Sequence, residues 1–286
     1  MIGSEIAPGR PERLFQALPE GLILRGVFYT LLGLAVAIVA LDYRDMARAQ
    51  ADQERIARTE PLPLDRPQPG DQIRPYLPKT IPVGPDRGEP SLPGYDGPVD
   101  GTAMAEPMQF ILAEDGAATL IGRIDVGTAE AFRAFLDDHQ DDVASLHIHS
   151  PGGSVVDAIA MARLVREKGL DTVVPDDGYC ASACPLLFAG GVARSAGTDS
   201  WIGVHQVYAL SPSGAEPAPD VGRSISEVQG TIAECQQLLL DMGVKPDLWI
   251  KAMLTPPEAL YVLTEDELHD YGLVTDGAGG KAAPAA

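Results

Sequence analysis

From Leu22 to Leu41 the chain reads LILRGVFYTLLGLAVAIVAL, 20 residues that are apolar except for Arg25 and Thr30. Wound as an α-helix, such a run spans roughly 30 Å, the thickness of a bilayer's hydrocarbon core. A helix in the core of a soluble domain carries a polar face, but only Thr30 interrupts Gly26–Leu41. Residues 21–42 are therefore read as a transmembrane anchor, with Arg25 close enough to one end to snorkel to the headgroups. A cleaved signal peptide is the nearest rival. Its small-residue site would be Ala47-Arg48-Ala49, well beyond the apolar run, so an uncleaved anchor is expected. Arg10 and Arg13 precede the span and Arg44, Arg48, Arg55 and Arg58 follow it, so basic residues do not fix its orientation.

The anchor divides the rest of the chain. Residues 1–20 form a polar segment. Residues 43–58 (YRDMARAQADQERIAR) extend as a short charged helix, and a stretch crowded with prolines follows from Glu60 to Pro98. Proline removes a backbone donor and fixes φ, which excludes helix and central strand here. Residues 43–107 are thus expected to be a charged and Pro-rich linker holding a folded domain of residues 108–277 away from the bilayer, with a flexible tail at 278–286. The chain carries 41 acidic against 21 basic residues, a formal net charge of -20. That balance excludes nucleic acid as a main partner, because phosphate binding needs a basic surface.

Within 108–277 the hydrophobic pattern alternates between short runs and helical periods. Gln109–Ala113, Ala118–Ile124, Ala144–His149, Leu170–Val174 and Trp201–Val207 read as strands. Thr128–His139, Ser154–Lys168, Ala181–Ala189, Ser224–Met242 and Asp247–Met253 read as helices. Such alternation predicts an α/β domain with a largely parallel sheet. The face of Ser224–Met242 that carries Ile225, Val228, Ile232, Leu238 and Leu239 serves core packing or a subunit interface.

Three segments carry residues with chemistry. In His149-Ser150-Pro151-Gly152-Gly153-Ser154, a strand ends in a Gly-Gly turn before a helix, a place where backbone N–H groups can face an anion. In Tyr179-Cys180-Ala181-Ser182-Ala183-Cys184-Pro185, alanines flank a serine and leave room for a carbonyl to approach its hydroxyl. In Gly203-Val204-His205-Gln206, one histidine stands at a strand end, and histidine is the usual base for a serine nucleophile. Cys180 and Cys184 bracket Ser182 either as a disulfide or as small buried thiols. His147 and His149 share a strand face. Without a third ligand at metal-site spacing they are read as structural, and no metal is expected.

Taken in order, S-P-G-G-S-V, Y-C-A-S-A-C with L-L-F-A-G-G, and G-V-H-Q resemble the ClpP-like serine peptidases of the ClpP/crotonase superfamily. So does the closing L-T-E-D-E-L-H-D-Y-G-L-V of residues 263–274. The resemblance covers roughly residues 108–277. It implies an α/β fold of repeated β-β-α units, Ser182 as nucleophile and His205 as base. It further implies Gly153 and Ala183 as oxyanion donors, Gly152 and Ser154 as substrate contacts, and no cofactor. The family's orienting acid stands a fixed distance before the Tyr-Gly-Leu segment, and a gap-free count back from Tyr271 lands on Leu260. Glu258, two residues earlier and on the same strand face, is the expected substitute. A Ser–Lys dyad would draw on Lys245 or Lys251, for which no motif argues.

The resulting expectation is a membrane-anchored serine peptidase acting on polypeptides and assembling as a homo-oligomer. It is held in a bacterial inner membrane by a single pass, with its domain on the periplasmic side. The rival from another class is a ClpP-like scaffold that binds peptides or partner proteins without turnover. A crotonase-like acyl-CoA enzyme explains the glycines but not the placement of serine and histidine.

Overall fold

The computed structural model describes residues 21–56, 69–70, 72–78, 87–139, 142–208 and 221–275. The polar segment 1–20 and the tail 278–286 lie outside the described residues. The chain divides into two compact units, Met1–Arg55 and Ile56–Ala286.

The first unit holds α1 (Leu22–Ile56), in which the apolar run and the charged helix expected after it form one continuous element. Its stretch Leu24–Arg44, 21 residues, is long and apolar enough to cross a membrane, and none of it is buried within the protein. The polar Thr30 hydroxyl donates to the Gly26 carbonyl one turn earlier at 2.8 Å, so it needs no water.

The second unit is built on two sheets. The larger one joins β2 (Gln109–Leu112), β3 (Ala117–Ile121), β4 (Ser145–His149), β5 (Asp171–Val174) and β7 (Arg194–Ala196) in the order β2-β3-β4-β5-β7. Only its β2–β3 hairpin is antiparallel. Helices α3 (Thr128–His139) and α4 (Val155–Lys168) are the crossovers that parallel pairing demands. The α4 helix starts where Ser154 accepts a hydrogen bond from the Asp157 N–H and stops at Gly169 in the left-handed conformation.

The smaller sheet joins β1 (Ile73–Pro75), β9 (Ala259–Val262), β8 (Trp201–Val204) and β6 (Tyr179–Ala181) in the order β1-β9-β8-β6. Its two faces differ in what they bury. Tyr179, Ala181, Trp201, Leu260 and Val262 pack with Tyr76 and Met104 on one side. Cys180, Ile202, Val204, Tyr261 and Leu263 point into the main core, which α5 (Cys184–Ala189), α6 (Val221–Asp241) and α7 (Pro246–Leu254) help to close. The last helix, α8 (Glu265–Asp270), opens on a capping box between Thr264 and Glu267.

Two sequence expectations change here. The linker assigned to 43–107 is in part folded: β1 pairs with β9, α2 (Gly101–Ala105) precedes β2, and Tyr76, Leu77 and Leu92 are buried. Prolines are tolerated there because β1 is an edge strand with one side of its backbone free of ladder bonds. The helix expected over Ala181–Ala189 is split, since β6 runs through Ala181 and α5 begins only at Cys184. Ser182 therefore stands in the turn between them.

Candidate active site

Ser182 has φ +63°, a left-handed conformation that a non-glycine residue adopts only under constraint. Three constraints hold it. Its N–H donates to the Gly203 carbonyl of β8 at 3.0 Å. Cys180 and Cys184 are joined as a disulfide, with Cα atoms 5.2 Å apart, so the turn is closed into a covalent ring. Gly152 (φ +87°) packs beneath it so tightly that a Cβ there would lie 2.4 Å from the Ala181 carbonyl oxygen and 2.7 Å from the Ala183 nitrogen. The next residue, Gly153 (φ +140°), leaves only 2.1 Å between a would-be Cβ and the Ile124 carbonyl oxygen. Both glycines are thus required by close backbone approach.

Because β6 and β8 are parallel with Ala181 opposite Gly203, the Ser182 turn and His205 leave the sheet at the same end. Ser182, Ala183, Gly153, Ser154, His205 and Tyr76 line one cavity of about 510 Å³. Among the described residues, neither the Gly153 nor the Ala183 backbone N–H takes part in a hydrogen bond. These are the two donors the sequence motifs single out for an oxyanion. Ser154 lines the cavity, but its hydroxyl is committed to the Asp157 carboxylate at 2.5 Å. Gly152 does not line it: its carbonyl accepts from Ile124 and its N–H donates to the Ser150 hydroxyl, so it supports the turn from below.

His205 is only 6% exposed, and burial lowers its pKa to about 4. Neither ring nitrogen has a hydrogen-bond partner. Glu258 is exposed and does not supply one. The reason lies in the strand register. Gly203 faces Val262 and Val204 faces Tyr261, so the next step sets His205 opposite Leu260. Leu260 is 1% exposed, and its side chain fills the space above Gly203 that an orienting carboxylate would need. Lys251 is turned toward Glu267 (3.5 Å), and neither it nor Lys245 lines the cavity.

One residue at the site escaped the sequence reading. The Tyr76 ring lies 4.6 Å from the His205 imidazole, tilted by 38°. Its hydroxyl donates to the Pro151 carbonyl at 2.7 Å, and the residue lines the same cavity as Ser182. Its only signal was an island of larger apolar residues, Ile73, Tyr76 and Leu77, among the prolines.

The disulfide invites a direct test. A cross-link closing so short a loop restricts the unfolded chain by about 2 kcal/mol. Removing it also frees the Ser182 turn to relax from its left-handed conformation, and misplacing a nucleophile by an ångström costs on the order of 100-fold in rate. A Cys180→Ala/Cys184→Ala variant is expected to show both losses, by denaturant titration and by rate of reaction with a serine-directed probe. An unchanged rate would mean that packing alone holds the turn.

A mostly parallel sheet and a smaller mixed one, with a serine turn and a histidine at the same end of the parallel pair β6 and β8, define a peptidase-like α/β fold. The Clp protease family model matches residues 103–276, more than half of the chain, and the chain belongs to that family. Among solved structures it is similar to a membrane-bound stomatin-specific protease, at 16% identity over 53% of this chain and 75% of that one, with a TM-score of 0.39.

Proposed function

We propose that the chain is a serine peptidase that hydrolyses polypeptides through an acyl-enzyme on Ser182. The observation that carries this reading is the Ser182 turn. It presents a strained serine beside two uncommitted N–H donors, in a cavity shared with a neutral histidine. In the reaction, Ser182 Oγ attacks the substrate carbonyl carbon while His205 takes the hydroxyl proton. The oxyanion is held by the N–H groups of Gly153 and Ala183. Collapse breaks the C–N bond, His205 returns the proton to the leaving amine, and water repeats the sequence to free the acid. Leu239 of α6 with Leu248, Trp249 and Ala252 of α7 form an apolar wall of the cavity, which suits substrates with an apolar side chain near the scissile bond.

We assign α1 as a single-pass anchor on its length and composition, with residues 21–42 in the bilayer of a bacterial inner membrane. The Cys180–Cys184 disulfide favours an oxidising compartment, which supports a periplasmic catalytic unit. The exposed apolar residues Leu240, Ile250 and Leu254 on α6 and α7 fit a surface for assembly into a homo-oligomer. A second reading, a peptide-binding scaffold without turnover, is favoured by the absence of a hydrogen-bond partner on His205 among the described residues.

The deciding experiment is reaction of the full chain with a fluorophosphonate, followed by peptide mass spectrometry. An adduct on the peptide containing Ser182 is the expected result. No adduct at any pH from about 6 to 9, a range in which His205, lowered by burial to about 4, is neutral, would favour the scaffold.

A further inference from the structure

Resting on that serine-hydrolase reading, we propose that residues 72–77 are a latch: Tyr76 holds the catalytic pair in a closed resting state, and its withdrawal releases it. Four observations support the proposal. Tyr76 adjoins both members of the pair: its ring lies on His205, and it lines the same cavity as Ser182. A serine poised for attack donates to its base, yet His205 Nε2 is buried without a hydrogen bond, so the serine–histidine bond is not made in this arrangement. The tyrosine is fixed rather than incidental. It is 7% exposed, and its hydroxyl is tied to Pro151, the residue just before the Gly-Gly turn.

The fourth observation concerns how the latch is attached. It is an edge strand of three residues, held to β9 by a short ladder. Beyond that ladder, the Tyr76 N–H donates to the Glu258 carbonyl and the Val262 N–H to the Gln72 carbonyl, each at 3.0 Å. The Gln72 amide reaches the Val262 carbonyl and the Glu267 carboxylate. A three-residue edge strand has fewer ladder bonds to break than the central strands of a fold. In sequence it is the first strand after α1.

The test compares the full chain in detergent with its Tyr76→Ala and Tyr76→Phe variants, each with and without Ser182→Ala. The readouts are the rate of fluorophosphonate labelling and the thermal midpoint. The Phe variant keeps the packing of the ring and loses only the hydroxyl. It is expected to label roughly three- to tenfold faster than the wild type, the population shift that one net hydrogen bond commands. The Ala variant is expected to exceed it, and if it does not fold, the Phe variant carries the test alone. Ser182-dependent labelling that is unchanged or slower in a folded variant overturns the latch and makes Tyr76 a positioning residue for His205. Absence of Ser182-dependent labelling in every variant overturns the hydrolase reading, and the latch with it.

Discussion

Ser182→Ala and His205→Ala are each expected to lower hydrolysis of an activated ester or peptide by about 10⁴-fold or more, and the double variant to lose no more than either alone. The two side chains act as one device. A serine hydroxyl at neutral pH is a poor nucleophile until its proton has somewhere to go, and a histidine without the serine has no proton to take. Residual activity in either variant would come from the Gly153 and Ala183 donors, whose backbone N–H groups neither substitution removes. Glu258→Ala, in contrast, is expected to stay within a few-fold of the wild type, because Glu258 is exposed and Leu260 stands opposite His205. Steady-state rates for the four variants decide the matter. A near-normal His205→Ala would show that another group takes the proton, and a strong loss in Glu258→Ala would mean that the carboxylate swings in during turnover.

Ser182, His205, Gly153 and Ala183 were legible because three bland motifs occurred in a set order, and the structure brings all four to one cavity. The gap-free count that put Leu260 at the acid's position agrees with the register that sets it opposite His205. The structure does not bring Glu258 to His205, for a reason that alternation cannot provide. Sharing a strand face does not give reach when a bulkier neighbour, Tyr76, already packs on the imidazole. The helix over Thr128–His139 matches to the residue, since its apolar period is undisturbed. In β1 the local signal was reversed. Prolines argue against strands, and only pairing with β9, far away in sequence, overrides them. The state of Cys180 and Cys184 likewise turned on a Cα separation, which the turn at Ser182 sets at 5.2 Å.

The folded state is expected to lose several kcal/mol of stability between about pH 7.5 and 4.5, because it buries histidines in their neutral form. His149, at the end of β4, is fully buried, and its Nδ1 accepts the Tyr179 N–H at 3.1 Å. Burial, with a contribution from the Arg87 charge, lowers its pKa to about 3. Burial alone lowers that of His205 to about 4. In the unfolded chain both titrate near the ordinary value of about 6.5. Below that pH the unfolded chain binds protons that the folded chain refuses, so stability is full above it. It then declines as pH falls, until the folded-state values are reached. Urea titrations followed by the fluorescence of the two tryptophans, Trp201 and Trp249, both buried, report the difference directly. His149→Gln keeps an acceptor for Tyr179 and cannot titrate, so it is expected to flatten the dependence by roughly half, and His149→Gln/His205→Gln to remove most of it. Equal urea midpoints for the wild type at the two pH values would mean that both histidines are protonated inside the fold.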